Sequence, residues 1–276
     1  MPVLGLGTWQ MGGRYERDPN NNDGADIKAI KTAIELGITH IDTAEVYADG
    51  WAEKLAAEAI KGYDRKNLFL VSKVSGDHLQ YDEVMKACGE SLKRLQTSYL
   101  DLYLIHWFNS RVPLQETMRA LDELIEQGMV KRIGVSNFTP EHLAQAQRYT
   151  KNKIVCDQVH YNLIFREPER KGLLKYCQEN DVFLSAWRPV EKGLLAKGGT
   201  PILDELCKKY KKTPAQIAIN WLISQQNVVT IAKMSRVEHL KENLGGVGWQ
   251  MEQDDIERLR NEFPHQQSTS NAVPLG

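Results

Sequence analysis

The chain has 276 residues, of which 42% are hydrophobic and 26% charged, a globular composition with enough apolar material for a full core; collagen-like, disordered and membrane classes are excluded. Thirty-five basic against 36 acidic residues leave a net charge of −1, which argues against a nucleic-acid or membrane-surface partner. Met1–Leu4 lacks the basic and apolar regions of a signal peptide, no apolar run approaches the ~20 residues of a spanning helix, and the cysteines (Cys88, Cys156, Cys177, Cys207) form no CxxC, so a soluble cytoplasmic protein with reduced thiols is expected.

In chain order, eight short β-branched, apolar runs read as strands: Val3–Trp9, Ile38–Asp42, Leu68–Val71, Leu100–Ile105, Val130–Val135, Ile154–Gln158, Val182–Trp187 and Val228–Ile231. Several are apolar at nearly every position, the habit of strands buried on both faces in a parallel sheet. Amphipathic segments lie between them. Ile27, Ile30 and Ile34 share one helical face closed by Gly37. Leu114, Met118, Leu121 and Ile125 share another, with Pro113 before it and Gly128 after it. Thr213 is the N-cap expected before Pro214, and Ser235-Arg236-Val237-Glu238 has the form of a capping box.

Successive strands start about one βαβ unit apart, ~30 residues. The longer last interval holds two helices, Pro201–Tyr210 and Pro214–Ser224. Eight such units without a linker predict an α/β fold of one domain, residues 1–276, closed as a (β/α)8 TIM barrel. The rival is a doubly wound sheet with a dinucleotide fingerprint, but Gly5-Leu6-Gly7-Thr8-Trp9 holds only half of GxGxxG and no helix follows at once.

In such a barrel the chemistry lies at the C-terminal ends of the strands. Polar residues fall there at Thr8, Asp42, Tyr47, Lys73, His106, Ser136, Asn137, Gln158, Arg188 and Lys233. Asp42, Tyr47, Lys73 and His106 form a titratable set from three consecutive strand ends. A carboxylate can hold the lysine ammonium, and that cation lowers the pKa of a nearby phenol. A histidine beside the phenol can donate to a carbonyl oxygen as charge develops on it. The set suits polarising and protonating a carbonyl. It contains no nucleophile, and the histidines show neither HExxH nor any compact metal spacing, so no metal is expected.

On these residues the chain resembles the aldo-keto reductase superfamily. Ile41-Asp42-Thr43-Ala44-Glu45-Val46-Tyr47 is similar to its motif for the catalytic aspartate and tyrosine. Lys73 and His106 match the rest of its tetrad, and Gly134–Phe138 and Asp157–Asn162 match its nicotinamide-binding stretches. The resemblance implies an extended nicotinamide cofactor held without a Rossmann domain, and hydride transfer from nicotinamide C4 to an aldehyde or ketone. It implies Tyr47 as general acid, tuned by Asp42 and Lys73, with His106 orienting the carbonyl. Ser136, Asn137 and Gln158 would bond the carboxamide. Trp187 would stack under the ring where most members have tyrosine, a mild departure because the π-face is larger. Arg188, Pro189, Val190, Gly193 and Leu194 would run along the pyrophosphate. Thr8, Trp9 and Ile231 would complete the cofactor groove, and Lys233, Ser235, Arg236, His239, Glu242 and Asn243 would lie at its adenosine end.

Three features depart from the family pattern. The chain begins directly at the first strand, without the usual N-terminal hairpin. The barrel floor is then expected to be covered by Gly12–Asn22, by a neighbouring chain or by large side chains of its own. Glu191 stands where a small residue is usual in the pyrophosphate loop, an awkward place for an acid unless it points to solvent. After Lys233, Met234 and His239 replace the usual hydroxyl and arginine, so NADP(H) preference is expected through Lys233 and Arg236, with NAD(H) still usable. Trp9, Trp51 and Trp107, with Tyr47 and His106, are candidate walls for a small carbonyl substrate, 2-oxoaldehydes or short sugars; ordinary rim packing is the blander reading. His40 and His160 read as hydrogen-bonded structural histidines. The same fold and tetrad also serve as a cofactor-sensing accessory subunit of some channel complexes, the alternative to an enzyme.

Overall fold

The computed structural model describes all 276 residues. Eight parallel strands close in chain order: β1 Leu4–Gly7, β2 His40–Asp42, β3 Phe69–Val74, β4 Leu102–Ile105, β5 Ile133–Ser136, β6 Ile154–His160, β7 Phe183–Trp187 and β8 Val228–Ala232. Leu4 pairs with Thr230 and Gly5 with His40, so β1 joins β8 and β2 and leaves no free edge. The expected TIM barrel is the fold. The helices between are α1 Asp23–Glu35, α2 Trp51–Ile60, α3 Tyr81–Leu95, α4 Leu114–Glu126, α5 Pro140–Arg148, α6 Glu167–Arg170, α7 Leu173–Glu179, α8 Pro201–Tyr210 and α9 Pro214–Ile223. Two more, α10 Val237–Leu244 and α11 Gln253–Glu262, follow the last strand. No helix is long and apolar enough to cross a membrane.

Strand boundaries moved where polar residues continue the backbone ladder. β3 runs on to Val74, so Lys73 is a strand residue paired with Leu104, and β6 runs on to His160. The hydrophobic run stops earlier because those side chains face the polar end of the barrel. In α4 the expected stripe is buried at Leu114, Met118 and Leu121, and Gly128 turns the chain at φ 73°. Thr213 caps α9 and makes a reciprocal box with Gln216. The box expected at Ser235–Glu238 does not form: α10 begins at Val237, so Arg236 is its N-cap and the spacing is out of register by one.

Two apolar cores are separated by the strands. The larger fills the space between strands and helices. The smaller lies inside the barrel, where Val71, Leu102, Leu104 and Cys156 are buried behind Met1, Phe69 and Phe183. Of the expected floors, large side chains are the one observed. Gly12–Asn22 lies at the opposite end: Arg14 O accepts from Ala48 N, and Gly12 N donates to Asp26. A βα loop emerges at the C-terminal end of its strand, which places this one on the catalytic rim.

Gly134 shows how tight the barrel is. A Cβ there would lie 2.7 Å from the Cys156 carbonyl and 2.5 Å from Leu104 Cδ2, beside the register shift between β5 and β6. Gly134→Ala is expected to cost about 1–3 kcal/mol, the range for overpacking, and a denaturant melt at constant m-value checks it.

Candidate active site

The tetrad comes from three neighbouring strands. Lys73 and Asp42 are each about 1% exposed, and Lys73 Nζ donates to Asp42 Oδ1 at 2.6 Å and to Thr43 O at 2.7 Å. The remaining direction reaches Tyr47 Oη at 3.5 Å. A buried cation must be paired and hydrogen-bonded, and this one is. Burial opposes the charge on Lys73, but Asp42 and Tyr47 outweigh it and hold its pKa above the usual value.

Tyr47 differs from the expectation. Burial raises its pKa above 10 even though Lys73 pulls it down. The cation lowers the phenol pKa as expected but does not reverse the cost of burying a phenolate. The phenol therefore holds its proton at neutral pH, as an acid should. His106 sits edge-on to it with ring centroids 5.6 Å apart. Burial, then Lys73, hold His106 well below its usual pKa, and its Nδ1 is buried without a partner. A neutral imidazole keeps one N–H to donate to a carbonyl oxygen.

Gln158 carries a link that spacing did not reveal. Its Nε2 donates to Asp42 Oδ2 at 2.8 Å, so the aspartate answers to Lys73 on one oxygen and to the expected carboxamide site on the other. Ser136 Oγ donates to the Gln158 carbonyl at 2.6 Å and Asn137 Nδ2 donates to Ser136 Oγ at 2.9 Å. Asn137 Oδ1 is left buried without a partner. That orphan acceptor fits a carboxamide NH2, which makes the residues present compatible with a nicotinamide. Asn137 is itself held in the left-handed region at φ 62°, and the last residues of the chain brace it, because Gly276 N donates to Asn137 O at 2.8 Å.

Thr8 is buried, and its hydroxyl donates to Asp42 O. Ile231 is a strand residue beside Gly5 and Trp187. Trp187 lies flat against His160, with centroids 4.3 Å apart and 7° between planes. At the expected adenosine end, Lys233 Nζ donates to Gln10 Oε1 at 3.2 Å, and Arg236 meets His239. Met234 turns into the core while Lys233, Ser235 and Arg236 stay exposed. Asn243 is buried and Glu242 half-buried.

The aromatic wall is partly as expected. Trp9 packs edge-on to Tyr47 at 4.9 Å, and Trp107 lies beside His106 at 4.7 Å. Tyr15, in a loop without hydrophobic periodicity to mark it, extends the wall at 5.1 Å from Trp9. Trp51 does not join it. Its indole N–H donates to Asp23 at 2.9 Å and its ring lies under Arg17 and Lys54, so it pins Gly12–Asp23 to α2. A groove of about 770 Å³ starts at Tyr15, Val46 and Trp107 and runs along α3 past Glu83, Lys86 and Arg94; none of the four tetrad residues lines it. His40 is buried, but the hydrogen bonding expected of it is missing: neither ring nitrogen has a partner, and burial drives its pKa down to about 4.

Comparison with known proteins agrees with this geometry. Residues 3–261 match the model of the aldo/keto reductase family. Over 268 residues the chain is 34% identical to methylglyoxal reductase YeaE of Escherichia coli, covering 96% of this chain and 92% of that one. The crystal structure of the thermostable aldo-keto reductase Tm1743 superposes with a TM-score of 0.91 at 45% identity, over 94% of both chains. An aldo-keto reductase from Klebsiella pneumoniae in complex with NADPH superposes with a TM-score of 0.86 at 34% identity, over 98% of this chain and 94% of that one. A barrel with this buried tetrad at its mouth and this likeness along its whole length belongs to the aldo/keto reductase family.

Proposed function

We propose that this chain is an NADPH-dependent reductase of small aldehydes and ketones, with 2-oxoaldehydes as the favoured class. The observation that carries it is the buried Asp42–Lys73 pair, 2.6 Å apart, with Lys73 Nζ 3.5 Å from Tyr47 Oη and His106 edge-on to that phenol. The bound dinucleotide supplies the hydride. Tyr47 supplies the proton, Lys73 and Asp42 set the acidity of that phenol, and His106 donates to the carbonyl oxygen. Asn137, with Ser136 and Gln158, holds the carboxamide, and Trp187 carries the ring. Trp9 and Trp107, packed against Tyr47 and His106, wall the substrate. The likeness to methylglyoxal reductase supports that class.

The adenosine end supports the phosphorylated cofactor. The N-terminus of α10 has no side-chain cap, and Lys233, Ser235 and Arg236 are exposed around it. Free amides with two cations favour a 2′-phosphate. Arg236→Ala is expected to raise Kd for NADPH about tenfold, the loss of a charge-assisted contact, while Kd for NADH moves less than about twofold. Equal losses for both would show that the phosphate lies elsewhere. Residues 1–276 then work as one barrel domain, placed in the cytoplasm, whose reducing conditions suit its four unpaired thiols.

Loss of NADPH absorbance with methylglyoxal as substrate tests the whole reading. Steady turnover supports the enzyme. Tight NADPH binding with negligible turnover over a panel of aldehydes and ketones would favour the accessory-subunit role instead.

A further inference from the structure

An acid in a loop expected to face a pyrophosphate needs somewhere else to point. Glu191 does not turn to solvent; it is 8% exposed and faces into the barrel rim. Its Oε2 accepts from Asn162 Nδ2 at 3.0 Å and lies 2.8 Å from His160 Nε2. Burial opposes ionisation of Glu191, but these two partners outweigh it and hold its pKa below the usual value. Burial keeps His160 below its own usual pKa despite the carboxylate. A neutral His160 protonated on Nε2 satisfies both neighbours: it donates to Glu191, and its Nδ1 accepts from Ser270 Oγ at 2.8 Å.

The His160 ring is also packed on both faces. Phe165 lies at 4.4 Å on 27° planes and Trp187 at 4.3 Å on 7° planes. The turn that bears Glu191 is strained as well. Arg188, Glu191 and Lys192 have φ of 58°, 41° and 54°, a region that side chains other than glycine, asparagine and aspartate seldom occupy. Such a conformation persists only when something outside the turn holds it. Here Asn162 Nδ2 donates to Arg188 O at 2.9 Å, and the Glu191 carboxylate grips His160.

We propose that Glu191 is a positioning residue for the dinucleotide: through His160 it locks the strained turn after β7 and keeps the Trp187 ring flat. The proposal rests on the reductase reading above, in which that turn meets the pyrophosphate and Trp187 carries the nicotinamide. Losing the carboxylate lets the turn relax away from its present path and frees His160 to tilt, so bound cofactor escapes sooner. The chemical groups of the tetrad are untouched.

The test uses the full chain, stopped-flow displacement of NADPH, and steady-state rates with methylglyoxal. Glu191→Ala is expected to release NADPH about tenfold faster, with KM for NADPH rising in step and kcat at saturating NADPH falling no more than about twofold. Glu191→Gln keeps an acceptor for His160 Nε2–H and should hold the release rate within about threefold of the parent chain. A residue that only packs would lower Tm and leave the release rate alone. Release from Glu191→Ala within about twofold of the parent, or a fall in kcat with KM unchanged, overturns the proposal. If Glu191→Ala does not yield folded protein, Glu191→Asp, which draws the carboxylate back by one methylene, decides the matter by the same release rate. A parent chain that binds no NADPH would overturn the reductase reading and this proposal with it. Normal parent binding with an indifferent Glu191→Ala overturns this proposal alone.

Discussion

Tyr47→Phe is expected to lower kcat for aldehyde reduction by at least ~100-fold, the scale of a positioned general acid. The ring remains, so its edge contacts with Trp9 and His106 remain, and Kd for NADPH should stay within a few-fold. The loss therefore falls on kcat rather than on binding, the pattern of an interaction made in the transition state. Initial rates at saturating NADPH, with Kd from fluorescence titration, check it. A variant that kept a tenth of normal turnover would remove Tyr47 from its role.

Lys73→Met should lower turnover on a similar scale and carries a pH signature besides. Burial raises the Tyr47 pKa and Lys73 pulls it back. The active form of the acid is protonated, so reduction falls on the alkaline side as the phenol loses its proton. Removing the cation, and leaving Asp42 negative nearby, both disfavour the phenolate. The alkaline limb of kcat/KM therefore moves to higher pH. A downward shift would contradict the assigned electrostatics. The variant also strands a carboxylate that is 1% exposed, which is expected to cost about 3–5 kcal/mol of stability. Adding Asp42→Asn should recover most of that loss in a denaturant melt without restoring turnover.

How much of this was legible beforehand depended on the kind of signal. Repeating apolar runs of strand length, with helical stripes between, are local properties, and they sufficed for eight strands, their order and the closed barrel. The four-residue set was legible too, because Asp42, Lys73 and His106 each end a buried run, Tyr47 lies in the loop that follows Asp42, and a barrel brings all strand ends together. Ends of strands were less so: Lys73 and His160 are polar residues inside the ladder, and hydropathy stops before hydrogen bonding does. The capping box at Ser235 matched in letters but missed by one residue, since the loop from β8 decides where α10 starts.

Only the tertiary structure decided how side chains far apart in sequence share partners. Asp42 is held by Lys73 and by Gln158, 116 positions away, and no pattern within either segment announces the other. Trp51 left the substrate wall because Asp23, Arg17 and Lys54 claim it from a loop whose course has no periodicity. Glu191 looked misplaced in a linear reading because the sequence names a side chain but not its direction. Its direction comes from a strained turn and from a histidine one strand away. The amino-acid sequence by itself determined the barrel and the family, and it marked the polar strand-end residues that the barrel gathers, because burial and strand-end position follow from local pattern. Which oxygen meets which nitrogen, and therefore which charges are held and which acceptors wait for a ligand, was decided by closing the barrel, which packs those groups together where water cannot satisfy them.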